Sequence, residues 1–308
     1  MLDVLATGYP SFDTIFPVSR SAAVGETALI QALPDDGQIP FGGCGANVAV
    51  GLSRLGFRTG LAMILGDDAL GNSYCDYLGQ QNIDQSNVIC MPGEQSSRSY
   101  LFRNPDGEYQ NFFFAGAADA WNGDLTLHGL EQVRYGLVTV GPLHYNRQFV
   151  EQCASANVPI IWQMKPDIQA YPPESLSLFL QASEIILMNR FEADLLLTAT
   201  GARSLSDLLR SKTQVIVLTR GADGVTVYAD GEQVAVPAIQ THVVDTTGAG
   251  DGFTSGFIAG VLQGRDHETS ARLGAAVASF VVEKIGCQTN LPTWEDVLKR
   301  YEENFGSL

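Results

Sequence analysis

Two glycines and a carboxylate at the mouth of a helix form the stretch of this chain best equipped for chemistry. The run Asp245-Thr-Thr-Gly-Ala-Gly-Asp251 lies between a short extended stretch, Ile239 to Val244, and an apolar helical stretch, Phe253 to Leu262. A helix N-terminus leaves backbone N–H groups without intrahelical partners, and the macrodipole makes that end positive. Glycine lets the main chain approach a bulky anion, because no Cβ intervenes. Gly248, Ala249 and Gly250 therefore read as an anion cradle. Asp251 looks out of place there, since a fixed negative charge repels an anionic ligand. It makes sense as a base that takes a proton from a hydroxyl attacking phosphorus. The same residues also suit a plain helix cap after a glycine-rich turn, and these positions alone leave both readings open.

The rest of the composition narrows the function class. The chain has 308 residues, enough for a full core in one large domain, and a formal net charge of −16. That charge argues against a general nucleic-acid binder and against anionic membrane surfaces, both of which need clustered Lys and Arg. A nucleotide still fits if helix N-termini, Mg²⁺ and a few basic side chains make the pocket locally positive. Cys44, Cys75, Cys90, Cys153 and Cys287 are odd in number, widely spaced and without a Cys-x-x-Cys pair. They suit a reducing cytosol and neither a disulfide framework nor a zinc site. His128, His144, His242 and His267 are isolated in sequence, which disfavours a histidine metal site. The opening Met-Leu-Asp-Val-Leu-Ala-Thr reads as a strand, with no basic n-region and no long apolar run. A cytoplasmic protein without signal peptide or transmembrane helix is expected.

Elements able to position the Asp251 region alternate along the chain. Val4–Thr7, Thr59–Leu65, Leu137–Val140, Val158–Trp162, Ile185–Met188 and Val215–Thr219 read as strands. Ala46–Leu55 and Leu273–Lys284 carry apolar residues at helical spacing. This alternation predicts a three-layer α/β/α fold with a mostly parallel central sheet. Val225–Tyr228 and Gln233–Val236 flank Asp230-Gly231 and predict a hairpin at the sheet edge. Phe12–Val18 and Glu26–Leu33 look extended, and Ser97–Phe114 reads as a second hairpin around Asn104-Pro-Asp-Gly107. Together, about residues 12–33 and 97–114 predict a small β-sheet lid on a single domain spanning 1–308, closing over substrate to exclude water.

With these pieces placed, the chain resembles the ribokinase, or PfkB, family of ATP-dependent carbohydrate kinases over nearly its whole length. Gly8-Tyr-Pro-Ser-Phe-Asp13 is similar to the family's opening, and Gly42-Gly-Cys-Gly-Ala-Asn47 with the following helix to its first signature. Asn189-Arg-Phe-Glu192 matches an Asn-x-x-Glu motif, Thr219-Arg-Gly-Ala-Asp-Gly224 a Thr-x-Gly-x-x-Gly segment, and Asp245–Asp251 the second signature. Five matches in order favour the base over the cap. The resemblance implies that Asp13, Gly42, Gly43 and Asn47 bind the acceptor. It implies that Asn189, Thr219, Gly221 and Gly224 lie by the nucleotide, and that Glu192 acts on Mg²⁺ through water. Asp245 and Thr247 would help hold a monovalent cation such as K⁺, with carbonyls near Lys284–Thr289. No Walker-A sequence is present, so direct transfer from ATP to a hydroxyl is expected, with Asp251 as base.

The acceptor is less determined. Ribose kinases usually read Gly-Gly-Lys-Gly-Ala-Asn, and Cys44 replaces that lysine here. At Gln163-Met-Lys-Pro-Asp-Ile, relatives often carry Asp or Asn followed by Pro. Pro166–Glu174 and the run Phe112–Ala118 look like microbial nucleoside kinases of the same family. Their aromatic rings suit base stacking, and Phe112 and Phe114 suit equally well packing of the lid onto the main domain. A sugar kinase leads, with a nucleoside kinase as the alternative and a non-catalytic sensor third. Relatives include homodimers joined through the lid, for which Tyr100 and Phe102 are candidate contacts.

Overall fold

Residues Thr59–Gly66 are buried along their whole length, and a strand apolar on both faces needs a covering layer on each side. The computed structural model, which describes residues 1–33, 41–165, 172–209 and 212–308, supplies both layers. Its strands are β1 (Leu2–Thr7), β2 (Ser11–Pro17), β3 (Phe41–Gly42), β4 (Thr59–Gly66), β5 (Asp84–Met91), β6 (Arg98–Arg103), β7 (Tyr109–Phe114), β8 (Val133–Val138), β9 (Ile160–Gln163), β10 (Ser183–Asn189), β11 (Val215–Thr219), β12 (Val225–Ala229) and β13 (Glu232–Val236). Its helices are α1 (Cys44–Arg54), α2 (Ala69–Gln80), α3 (Ala117–Ala120), α4 (Leu143–Ser155), α5 (Pro173–Ala182), α6 (Arg190–Thr200), α7 (Ala249–Leu262), α8 (His267–Val281) and α9 (Trp294–Phe305).

The main sheet runs β13-β12-β11-β10-β9-β8-β1-β4-β5, parallel from β5 through β11 and antiparallel at the β12–β13 edge. Register sorts its side chains into two cores. Ala6, Leu137, Ile161, Ile185 and Val215 lie side by side across five strands and face one core. Val138, Trp162, Ile186 and Ile216, one residue further along, face the other. Leu52 of α1, Leu78 of α2, Phe257 of α7, Val277 of α8 and Val297 of α9 cover the first face. Phe149 of α4, Phe179 of α5 and Leu196 of α6 cover the second. This is the expected three-layer arrangement.

Helix α7 is buried almost all round, because glycines let its neighbours close on it. A Cβ on Gly256 would lie 2.5 Å from the Leu273 carbonyl oxygen of α8, and one on Gly51 of α1 would lie 2.4 Å from Ser255 Oγ. The helix that begins at the Asp245–Asp251 motif is therefore clamped between α1 and α8.

The small sheet has the order β3-β2-β6-β7, with β2 parallel to β6 and the other pairs antiparallel. The hairpin around Asn104–Gly107 forms as expected, with Gly107 at φ 84°. So does the β12–β13 hairpin, whose Asp230 and Gly231 both have positive φ, as a type I′ turn requires. One expectation needs correction. Glu26–Leu33 contributes only a single bridge, Ile30 to Val18, and the strand beside β2 is instead Phe41–Gly42, the start of the glycine motif. Ile239–Val244 pairs with no strand, and its end is held by Val244 N–H on the Val282 carbonyl at 2.8 Å. Asp84–Met91, polar on its exposed side, forms the edge strand β5. Among the described residues no helix is long and apolar enough to cross a membrane.

Gly256→Ala is expected to cost about 1–3 kcal/mol by overpacking the α7–α8 contact. A thermal melt checks it; an unchanged midpoint would contradict the close approach of the two helices.

Candidate active site

The parallel strands all end on one edge, where an open α/β sheet meets its ligands. β9 ends at Gln163, β10 at Asn189 and β11 at Thr219, and α7 starts above them. Gly248, at φ 78°, turns the chain into α7 and packs on Cys287, which a Cβ there would meet at 2.7 Å. Among the described residues the N–H groups of Gly248, Gly250 and Asp251 have no backbone acceptor, whereas Ala249 N–H is taken by the Thr246 carbonyl at 3.2 Å. A Cβ on Gly250 would meet open space, so its backbone is accessible from the cleft.

Asp251 itself is only 7% exposed. Its two oxygens accept from different amides: Asn47 Nδ2 at 2.7 Å and Gln163 Nε2 at 2.5 Å. Burial raises its pKa, while Asn47, the Lys165 ammonium and Gln163 hold it down. Accepting from N–H on both oxygens fits an ionised carboxylate, which a base requires. Asn47 is fixed in turn, since its Oδ1 accepts from Gln288 Nε2 at 2.7 Å, and Gln288 accepts from the Tyr77 hydroxyl. Asn47 thus orients Asp251 as well as lining the cleft. As a helix cap Asp251 makes no contact, because its side chain accepts from no α7 backbone N–H.

Two cavities meet at this carboxylate. One, of about 340 Å³, is lined by Gln163, Asn189, Glu192, Thr219, Thr246, Gly250 and neighbouring residues. The other, of about 460 Å³, is lined by Tyr9, Ser11, Asp13, Asn47, Ser99, Asn111 and Phe113 among others. Cys44, Lys165, Gly248 and Asp251 line both. In the larger cavity Asp13 accepts from the Ser11 hydroxyl, which itself reaches Ser99 Oγ at 3.0 Å. Burial raises the Asp13 pKa against the pull of Ser11 and Lys165. Gly42 has to be glycine because Asp13 Oδ2 lies 2.4 Å from where its Cβ would stand. Gly43, at φ 103°, passes close to the Tyr9 carbonyl.

In the smaller cavity Asn189 and Glu192 form a reciprocal cap at the start of α6. Glu192 N–H donates to Asn189 Oδ1 at 3.0 Å and Asn189 N–H to Glu192 Oε2 at 2.7 Å. Glu192 is 4% exposed, and burial pushes its pKa up to about 7. It is no solvated surface acid. Gly221 and Gly224 sit in the turn between β11 and β12 and line neither cavity. The Asp245 carboxylate accepts from Thr247 N–H (3.0 Å), Thr247 Oγ1 (2.8 Å), the Tyr109 hydroxyl (3.2 Å) and Gly286 N–H (3.1 Å). Among the described residues no three His, Cys, Asp or Glu side chains form a metal cage.

Sequence reading passed over Gln163, Gln288, Lys165 and Tyr9 as site residues, and took in Phe113 only as part of the aromatic run Phe112–Ala118. Gln163 alone carried a local signal, a polar residue closing the apolar run Ile-Ile-Trp at a strand's carboxyl end. Phe112 and Phe114 turn away from the larger cavity and stay exposed, 61% and 45%, so they do not pack the small sheet onto the main one; Phe113 between them faces the cavity. Of the stretch Pro166–Glu174, residues 166–171 lie outside the described residues.

A buried carboxylate between two cavities, one ending on an open helix N-terminus, is an arrangement suited to group transfer between an anionic donor and a hydroxylic acceptor. The family model for pfkB family carbohydrate kinases matches residues 4–294, and the chain belongs to that family. It is a kinase of ribokinase-like fold. It is 29% identical over 301 residues to a nucleoside kinase of Methanocaldococcus jannaschii, covering 93% of this chain and 98% of the relative. The solved structure of a nucleoside kinase from that organism superposes with a TM-score of 0.86 at 27% identity, covering 98% and 99% of the two chains. A ribokinase of Haemophilus influenzae is 26% identical over 275 residues, 86% of this chain and 88% of its own. A ribokinase of Cryptococcus neoformans, solved in complex with ADP, gives a TM-score of 0.84 at 25% identity, covering 97% and 100%.

Asp251→Asn is expected to lower kcat by about 10²–10⁴-fold while ADP binding persists. Steady-state kinetics with calorimetric ADP titration measure both, and unchanged turnover would remove Asp251 from the base role.

Proposed function

We propose that this kinase phosphorylates the primary hydroxyl of a nucleoside, with ATP as donor. One observation carries the acceptor reading. The cavity that holds Asp13, Ser11 and Asp251 is also walled by Tyr9 and Phe113, edge to face with ring centroids 4.9 Å apart. Asn111, two residues before Phe113 on the same face of β7, adds an amide. Carboxylate and hydroxyls suit a sugar ring, and aromatic faces with an amide suit a base. The likeness to a nucleoside kinase supports this choice, and the ADP complex of a ribokinase relative supports the donor.

In the reading we favour, Asp13 accepts hydrogen bonds from acceptor hydroxyls, beside Gly42 and Gly43. Asp251 takes the proton of the attacking hydroxyl, held by Asn47 and Gln163. The N–H groups of Gly248, Gly250 and Asp251, in the turn that runs through Ala249, receive charge developing on the phosphoryl oxygens. Asn189 and Thr219 line the nucleotide side, with Gly221 and Gly224 shaping the turn beyond. Glu192, buried and fixed by Asn189, would hold Mg²⁺ through water, which fits the lack of a multi-carboxylate cage. Mg²⁺, when bound, neutralises charge on the phosphates. Asp245 already satisfies four donors, so Asp245 and Thr247 would shape a K⁺ site whose ligands are largely backbone carbonyls.

The small sheet would serve as the lid. Arg103 Nη2 donates to the Val244 carbonyl at 2.9 Å and Tyr109 to Asp245, tying it to the approach of α7. Its outer face, with Tyr100, Phe112 and Phe114, suits a homodimer. The five free cysteines suit a cytoplasmic setting.

ATP turnover is expected with nucleosides and to be poor with free ribose. Phe113→Ala should weaken the acceptor KM by about 5–100-fold, the range for losing a base–aromatic stack. Equal turnover with free sugars, or an unmoved KM, would favour a sugar kinase. Because burial pushes the Glu192 pKa from the ordinary 4.5 up to about 7, its charge is lost progressively as pH falls through neutrality. Apparent Mg²⁺ affinity should therefore rise from about pH 6 to about pH 8, beyond the rise due to ATP's own ionisation. Glu192→Gln should abolish that extra rise; an identical profile in the variant would exclude Glu192 from the metal.

A further inference from the structure

Charge in the two cavities is badly unbalanced for a phosphate reaction. Asp13, Asp251 and Glu192 line them, and the donor brings more negative charge. Among the described residues, Lys165 is the one basic side chain that lines either cavity, and it lines both. It follows β9 by two residues, so the sheet delivers it to the edge where α7 begins. Its ammonium reaches the solvent of the cleft yet is ringed by protein, with Nζ 3.9 Å from Cys44 Sγ. Burial pushes the Cys44 thiol up to about 12, so it stays neutral.

Two features separate this lysine from a structural counter-charge. It forms no ion pair among the described residues. The carboxylates near it already have donors, Asp251 from Asn47 and Gln163 and Asp13 from Ser11. Beyond the one directed at Cys44 Sγ, its N–H groups therefore remain available to a ligand. With Cys44 neutral, the Asp251 and Asp13 carboxylates beside Lys165 favour its ammonium form, so the group is cationic at neutral pH.

We propose that Lys165 is a catalytic residue, donating hydrogen bonds to the non-bridging oxygens of the phosphoryl group as it passes from the smaller cavity to the larger. The acceptor oxygen bonds to phosphorus while its proton goes to Asp251. The phosphorus–oxygen bond to the leaving diphosphate breaks, its electron pair staying on that oxygen. Lys165 keeps all its protons and stabilises the charge between the two oxygens, complementing the N–H groups of Gly248 and Gly250 from the other side. This rests on the kinase site assigned above and not on the choice of acceptor.

The test is kinetic. Lys165→Met should lower kcat by about 10²–10³-fold, as for loss of one preorganised donor, with the acceptor KM within about threefold. The loss should persist as the pH is raised to about 9, a change that favours the ionised form of Asp251 whatever its neighbour. Moving the charge should restore part of it: the double variant Cys44→Lys, Lys165→Met, whose new lysine starts beside the old Nζ, is expected to regain at least about tenfold over Lys165→Met. Recovery of Lys165→Met to wild-type turnover at high pH would reduce Lys165 to a positioning role for Asp251 and overturn the proposal. So would undiminished turnover in Lys165→Met alongside an inactive Asp251→Asn. If Asp251→Asn also turned over normally, the assigned site itself would fail. Should Lys165→Met not fold by thermal melting, Lys165→Arg decides: reduced kcat with unchanged melting and ADP affinity supports the role, and wild-type kcat in a charge of different shape contradicts it.

Discussion

A carboxylate buried inside protein, at the positive end of a buried helix, is the constraint on which the rest of this molecule depends. Burial raises the Asp251 pKa and so works against the ionised form that the proposed base requires. Asn47 and Gln163 oppose that by donating to separate oxygens. Those donors come from α1 and β9, and Asn47 is steadied by Gln288 near the C-terminal helices. The state of one side chain thus requires elements far apart in sequence to be in register at once.

The fold meets that requirement through its core. A parallel sheet apolar on both faces brings the ends of β9, β10 and β11 to a common edge. Glycines in α1, α7 and α8 let the helix carrying Asp251 pack close enough to be fixed in rotation and height. Gly42, packed under Asp13, applies the same device at the acceptor side. Close packing here is a means of placing charge.

Much of this was legible in the chain, for identifiable reasons. Continuous apolar runs such as Thr59–Leu65 marked the central strands, and Asp230-Gly231 marked its hairpin through a turn that demands positive φ. The Asp245–Asp251 motif marked the start of a helix, and α7 begins there. What escaped has no local signature. Lys165 and Cys44 stand 121 positions apart, Gln288 and Asn47 241 apart, and only the folded sheet joins them. β5 went unread because an edge strand with a wet face is polar enough to resemble a loop. Phe112 and Phe114 drew attention as aromatics, but strand alternation turns Phe113 inward, which needs the register of β7 against β6.

A structure with an adenosine-type nucleoside and a non-hydrolysable ATP analogue tests the account most directly. The account requires the nucleoside's primary hydroxyl within about 2.6–3.2 Å of an Asp251 oxygen and in line with the γ-phosphorus, whose oxygens face the start of α7. A hydroxyl held by other groups, with Asp251 still bonded only to Asn47 and Gln163 and facing no ligand, would contradict it.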